Sequence, residues 1–118
     1  MDQIALMLHS VQTFMAWVRE YEKIKGFLDP MEGYTLALFA AHGPGEGEIV
    51  EIGSFMGKSA CWLAKGSKVT EREKVTAVDH FRGSPEHKKG QPMEEGALLR
   101  DGSLLPTFMK NITAAGLA

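Results

Sequence analysis

The hydrophobic positions at the start of the chain fall on one side of a helix. Ile4, Leu8, Val11, Met15, Val18 and Tyr21 recur at three- and four-residue steps, the spacing of one α-helical face. Arg19, Glu20, Glu22, Lys23 and Lys25 make its later part polar, and Gly26 predicts the stop. Such a face either covers the chain's own core or serves as a lid or dimerisation helix. Asp29-Pro30-Met31-Glu32 predicts a second helix start, with Asp29 as cap, Pro30 in the first helical position and Glu32 reaching back. Leu36, Phe39 and Ala40 are the residues expected to face inward. Three glycines and a proline within residues 42–47 then break the chain.

The pattern changes at Glu48-Ile49-Val50-Glu51-Ile52-Gly53, a short run rich in β-branched residues that predicts a strand. Residues 54–59 read as a turn and residues 60–65 as a helix ended by Gly66. A charged loop leads to Val75-Thr76-Ala77-Val78-Asp79, a second strand expected to be buried on both faces. Residues 80–102 are polar and punctuated by glycine and proline, predicting a long loop with one helical turn near residues 93–99. Residues 103–115 read as a last helix, with Leu105, Phe108, Met109 and Ile112 as its apolar stripe, and Gly116 closes it. Strands alternating with helices predict an α/β fold in which the strands pair in parallel.

Composition narrows the class. The 118 residues are 44% hydrophobic and 24% charged, with a net charge of −2. That suits one globular unit and gives no basic footprint for nucleic acid. Asp2, Gln3, His9 and Gln12 interrupt the apolar N-terminus, so neither a signal peptide nor a membrane span is expected. The single cysteine, Cys61, fits a cytoplasmic protein, and with Trp62 it is expected in the core. Lys88-Lys89 reads as a solvated patch.

The candidate chemistry lies in a strand, a glycine turn, a helix, a second strand and an acid. Glycine after the first strand lets the backbone approach a ligand, the next helix presents free N–H groups, and an acid ending the second strand can accept ribose hydroxyls. Residues 50–59 (Val-Glu-Ile-Gly-Ser-Phe-Met-Gly-Lys-Ser) resemble motif I of class I S-adenosylmethionine (SAM) dependent methyltransferases, in the form E-x-G-x-x-x-G. Asp79 is similar to their ribose-binding acid. Residues 79–87 and 105–112, with Gly116-Leu117, resemble a bacterial subgroup associated with O-methylation of small molecules and sugars. The likeness runs roughly from Gly33 to the C-terminus. It implies that Glu51, Gly53, Ser54 and Gly57 line the methionine side of SAM, that Asp79 holds the ribose, and that His80 and Phe81 lie near the adenine edge.

Other readings use the same residues. Gly53-Ser54-Phe55-Met56-Gly57-Lys58-Ser59 is one residue short of a Walker A loop, and residues 75–79 could pass for a Walker B strand. A phosphate cradle needs four residues between the glycines, and Glu51 would sit badly beside phosphate charge. A dinucleotide dehydrogenase would need G-x-G-x-x-G, which is not present. A remnant that serves only as an interaction module stays open. His80 and His87, near Asp79 and Glu86, admit a divalent metal, although loop histidines are more often plain surface residues. No metal ligand set and no general base are assigned.

The fold expected is therefore α/β, a partial Rossmann-like SAM-methyltransferase fold of two parallel strands with flanking helices. Residues 1–28 form an N-terminal amphipathic helical segment, and residues 29–118 the front half of the SAM-binding domain. The expected partners are a small-molecule acceptor and, through the open sheet edges, a second copy or a complementing polypeptide. Because the resemblance implies a larger sheet, the chain is expected to be truncated and inactive alone.

Overall fold

The computed structural model describes residues 2–118. In chain order, α1 (Gln3–Tyr21) and α2 (Pro30–His42) precede β1 (Ile49–Ile52), α3 (Lys58–Val69) and β2 (Val75–Val78). A short 3-10 turn (Pro85–His87), α4 (Gly96–Asp101) and α5 (Leu105–Ala114) follow. The two strands pair in parallel, Ile49 opposite Val75 and Ile52 opposite Val78. This is an α/β arrangement, two parallel strands with flanking helices, as expected.

The α2 start forms as its sequence predicts. Asp29 accepts from Met31 N–H at 2.8 Å and Glu32 N–H at 3.1 Å, and Glu32 accepts from Asp29 N–H at 3.1 Å. The inward face differs from expectation. Ala40 is buried as expected, but Phe39 is 72% exposed and Gly33 and Ala37 are buried in its place. The cause is close approach of α2 to α3. A Cβ on Gly33 would stand 2.3 Å from Trp62 Nε1, and one on Gly66 would stand 2.1 Å from the Ala37 carbonyl oxygen. Gly66 therefore lies inside α3 at the crossing and does not end it. Removing side chains lets the backbones meet, so the helix runs on to Val69.

Trp62 is fully buried at the centre of an aromatic nest. Tyr21, Trp17, Phe14 and Tyr34 surround it, with ring centroids 5.2 to 6.4 Å away. Tilted and edge-on pairs of this kind contribute about 0.5–1.5 kcal/mol each beyond area burial. Tyr21 brings the end of α1 into this core, and Cys61 is buried beside it. Burial pushes the Cys61 thiol up to about 12, with Glu20 and Glu51 adding to the effect, so the thiol stays protonated and unreactive.

Helix α1 ends at Tyr21, short of Gly26, because the chain folds over there. Ile24 N–H donates to the Tyr21 carbonyl and the Ile24 side chain is buried. In its first half, Ile4, Met7, Leu8 and Val11 are exposed. Among the described residues no helix is long and apolar enough to cross a membrane.

The strands are covered on one face only, which corrects the expectation of burial on both. Ile49, Glu51, Val75 and Ala77 face the helices, whereas Val50, Ile52 and Val78 are exposed. The helical turn expected near residues 93–99 forms slightly later, as α4.

Candidate functional site

The site forms where both strands end. Gly53 continues the ladder by donating its N–H to the Val78 carbonyl at 2.9 Å, then turns away at φ +85°. Phe55 at φ +48° and Gly57 at φ +97° complete a tight loop into α3. The left-handed conformation is cheap for glycine and costly for Phe55, so the tip of this turn is strained. Asn111 of α5 donates to the Met56 carbonyl at 2.9 Å and pins the turn from outside.

Asp79 organises the site. One carboxylate oxygen accepts from Phe55 N–H at 2.9 Å, the other from Phe81 N–H at 2.8 Å. The acid thus ties the end of β2 to the turn after β1. Burial opposes its charge. The N–H groups of Phe81, Phe55 and Ser54, with His80 nearby, outweigh that and hold the carboxyl below its ordinary value. A carboxylate has about four lone-pair directions, so two backbone donors leave it capacity for a ligand hydroxyl.

A cleft of about 620 Å³ opens beside the turn, a size suited to a small ligand. Its position beyond the carboxyl ends of parallel strands is where open α/β sheets bind ligands. Gly53, Ser54, Asp79 and His80 line it. The other three residues expected at the site lie elsewhere. Phe81 turns inward at φ +56° and packs its ring on Phe108, centroid to centroid 5.0 Å, while its carbonyl accepts from Leu104 N–H at 2.7 Å. Gly57 caps α3 against Phe108 and Ile112. Glu51 sits behind the cleft, one oxygen accepting from the Ser59 hydroxyl.

Two polar atoms near the turn are buried without partners, Glu51 Oε1 and Ser54 Oγ. An orphaned buried oxygen is costly unless something completes it. Of the two, Ser54 lines the cleft, and Glu51 lies behind it. Among the described residues no group of three or more histidine, cysteine, aspartate or glutamate side chains is clustered to hold a metal.

The geometry argues against a phosphate loop. The N–H groups of Phe55 and Gly57 are already given to Asp79 and to the Ser54 carbonyl. Lys58 is paired with Glu22 at 3.0 Å and is buried. Two N–H groups of the turn and the lysine are thus committed to partners within the protein. The profile of the methyltransferase domain family matches residues 50–115, more than half of the chain. The chain belongs to this family. The match includes the turn, Asp79 and the loop beyond it, so most of the cleft lining of this methyltransferase domain lies in the matched segment.

Sequence reasoning missed the rest of the cleft wall. Residues 22–28 cross beside the cleft, and Lys25, Phe27 and Leu28 line it. Lys25 pairs with Glu95 at 2.6 Å, joining this segment to the loop before α4. His87 also lines the cleft and is buried, its Nδ1 accepting from Ser84 N–H at 3.0 Å. Only the Ser84-Pro85 start, which reads as a capped turn, hinted at that role.

Proposed function

We propose that this methyltransferase domain binds SAM in the cleft and serves O-methylation of a small molecule or sugar. The observation that carries the reading is Asp79, fixed by two backbone N–H groups at the end of β2 beside the strained Gly53–Gly57 turn. Bound there, SAM supplies an activated methyl group. Asp79 would bind the ribose hydroxyls, and Ser54 would meet the amino-acid end, with Glu51 behind the turn. The turn holds these groups in place before the ligand arrives, and positioning is a large share of catalysis in a displacement between two bound partners. His80 stands on the outer rim, 67% exposed at its side chain, with Nδ1 accepting from Arg82 N–H at 2.9 Å.

Isothermal titration of the chain with S-adenosylhomocysteine (SAH) and with ATP tests this. SAH is expected to bind and ATP is not. Asp79→Ala should weaken SAH about ten- to a hundredfold, the loss of one charge-assisted partner. Lys58→Ala should leave SAH affinity within a few-fold, since Lys58 answers Glu22. Magnesium-dependent ATP binding lost in Lys58→Ala, without SAH binding, would overturn the reading.

A further inference from the structure

A methyl-donor site needs only part of the cleft, and one wall has no role in it. Phe27 is 74% exposed, yet its ring lies against Phe55 with centroids 6.3 Å apart. Phe55 in turn lies against His87 at 5.2 Å. All three line the cleft. Three flat side chains, from the segment before α2, the turn after β1 and the loop after β2, thus form a row. An open aromatic face at a cleft is apolar surface that a ligand can cover.

The polar groups around the row are mostly engaged. Lys25 pairs with Glu95 and Lys58 with Glu22, and in the donor reading the remaining capacity of Asp79 goes to the ribose. A ligand with many hydroxyls would have to strip water from them against the aromatic faces of this row, which is unfavourable. His87 supplies one free donor. Its Nδ1 accepts the Ser84 N–H, so the ring proton resides on Nε2. Held this way, His87 can donate to an oxygen and offers no basic nitrogen to take a proton.

We infer that the row Phe27–Phe55–His87 is the acceptor subsite, and that it takes a small phenol stacked on the rings with its oxygen near His87 Nε2–H. The inference rests on the methyl-donor reading above and selects among its acceptors. A phenol has a flat apolar face for offset stacking. Its hydroxyl ionises near pH 10, as that of tyrosine does, so it gives its proton to water more readily than an aliphatic alcohol. The oxygen then takes the methyl group as the donor's S–CH3 bond breaks, leaving the neutral thioether.

The test uses the full chain saturated with SAH. Para-fluorophenol is titrated by fluorine NMR, with methyl glucoside as the competing ligand. The phenol is expected to bind and the glucoside to leave it undisplaced. Phe27→Ala should weaken the phenol at least about fivefold, the size of a lost stacking partner. His87→Asn should do likewise while keeping an acceptor for Ser84 N–H, so its melting temperature should match the parent. In both variants SAH affinity should stay within about twofold. A matching loss of SAH affinity in Phe27→Ala would make the row a wall for the nucleobase and overturn the inference. Glucoside displacing the phenol, or SAH binding without phenol binding, would overturn it and leave the donor reading standing. A parent chain that fails to bind SAH removes both.

Discussion

Glu51 and Ile52 are neighbours on β1 and meet opposite surroundings. The carboxylate is 9% exposed and the isoleucine 84%. Hydrophobicity would have ordered them the other way. What separates them is the face. Glu51 points toward α3, whose Ser59 hydroxyl it accepts, and Ile52 points to the side that none of the described helices covers. The covered side is closely packed, down to backbone contact between α2 and α3. The open side carries Val50, Ile52 and Val78 with no counterpart. On this sheet, burial is decided by where the helices lie and not by residue type.

The covered side should therefore be the fragile one, and Gly66 is its most sensitive point. Helix propensity alone makes Gly→Ala in a helix interior stabilising by about 1 kcal/mol. At Gly66 the new Cβ would lie 2.1 Å from the Ala37 oxygen and 2.7 Å from two further Ala37 backbone atoms. Backbone cannot swing away as a side chain can, so Gly66→Ala should destabilise by about 3 kcal/mol or more. Gly96→Ala is the control, since nothing stands within 4 Å of its new Cβ. It should be neutral or raise the melting temperature. Equal melting curves for the two variants would show that the α2–α3 crossing is looser than the structure has it.

The alternation of the strands was legible in the sequence, because a period of two puts Glu51 and Ile52 on opposite faces whatever else happens. Which face would be covered was not legible, since that depends on helices packing from distant segments. The capping box at Asp29 was legible because all its partners lie within three residues. The α2–α3 crossing was not. Gly33, Gly66 and Ala37 carry little hydrophobic signal, and Phe39 carries a strong one that points the wrong way. At the site, Gly53, Ser54 and Asp79 were legible as a turn and an acid at strand ends. The packing of Phe81 on Phe108 was not legible, since its positive φ leaves no mark on the sequence. The Lys25–Leu28 wall was invisible because Gly26 read simply as a helix stop.

Asp79 stands at the border between the two sides, joining the turn to the end of β2. Its two backbone hydrogen bonds, as bonds to a charged acceptor, should each be worth up to about 1.5–3 kcal/mol. Asp79→Asn keeps the shape and loses the charge. Because the folded carboxyl is held below its ordinary value, the stabilisation is full above the unfolded value of about 4. It is lost as pH falls through the lower folded value. The gap in melting temperature between parent and Asp79→Asn should thus be constant near neutral pH and close progressively below about pH 4. A gap that persists unchanged at lower pH would mean that the charge is not what holds the turn.

The smallest effect is expected on the open side, at Ile52. A residue 84% exposed has little to lose on substitution, so Ile52→Lys should change unfolding free energy by no more than about 0.5 kcal/mol. Its larger consequence should be on association. Val50, Ile52 and Val78 form an apolar surface next to strand edges that offer unpaired backbone groups, and lysine at such a place opposes edge-to-edge pairing. Sedimentation velocity across a concentration series should show less self-association for Ile52→Lys than for the parent, while their thermal melts overlay at low concentration. Should Ile52→Lys instead lower the melting temperature as Gly66→Ala does, Ile52 would have to be packed, and the contrast between the two faces would fail. Unchanged self-association with overlaid melts would keep that contrast and move the contact between copies to another surface, of which the exposed first half of α1, with Ile4, Leu8 and Val11, is the next to mutate.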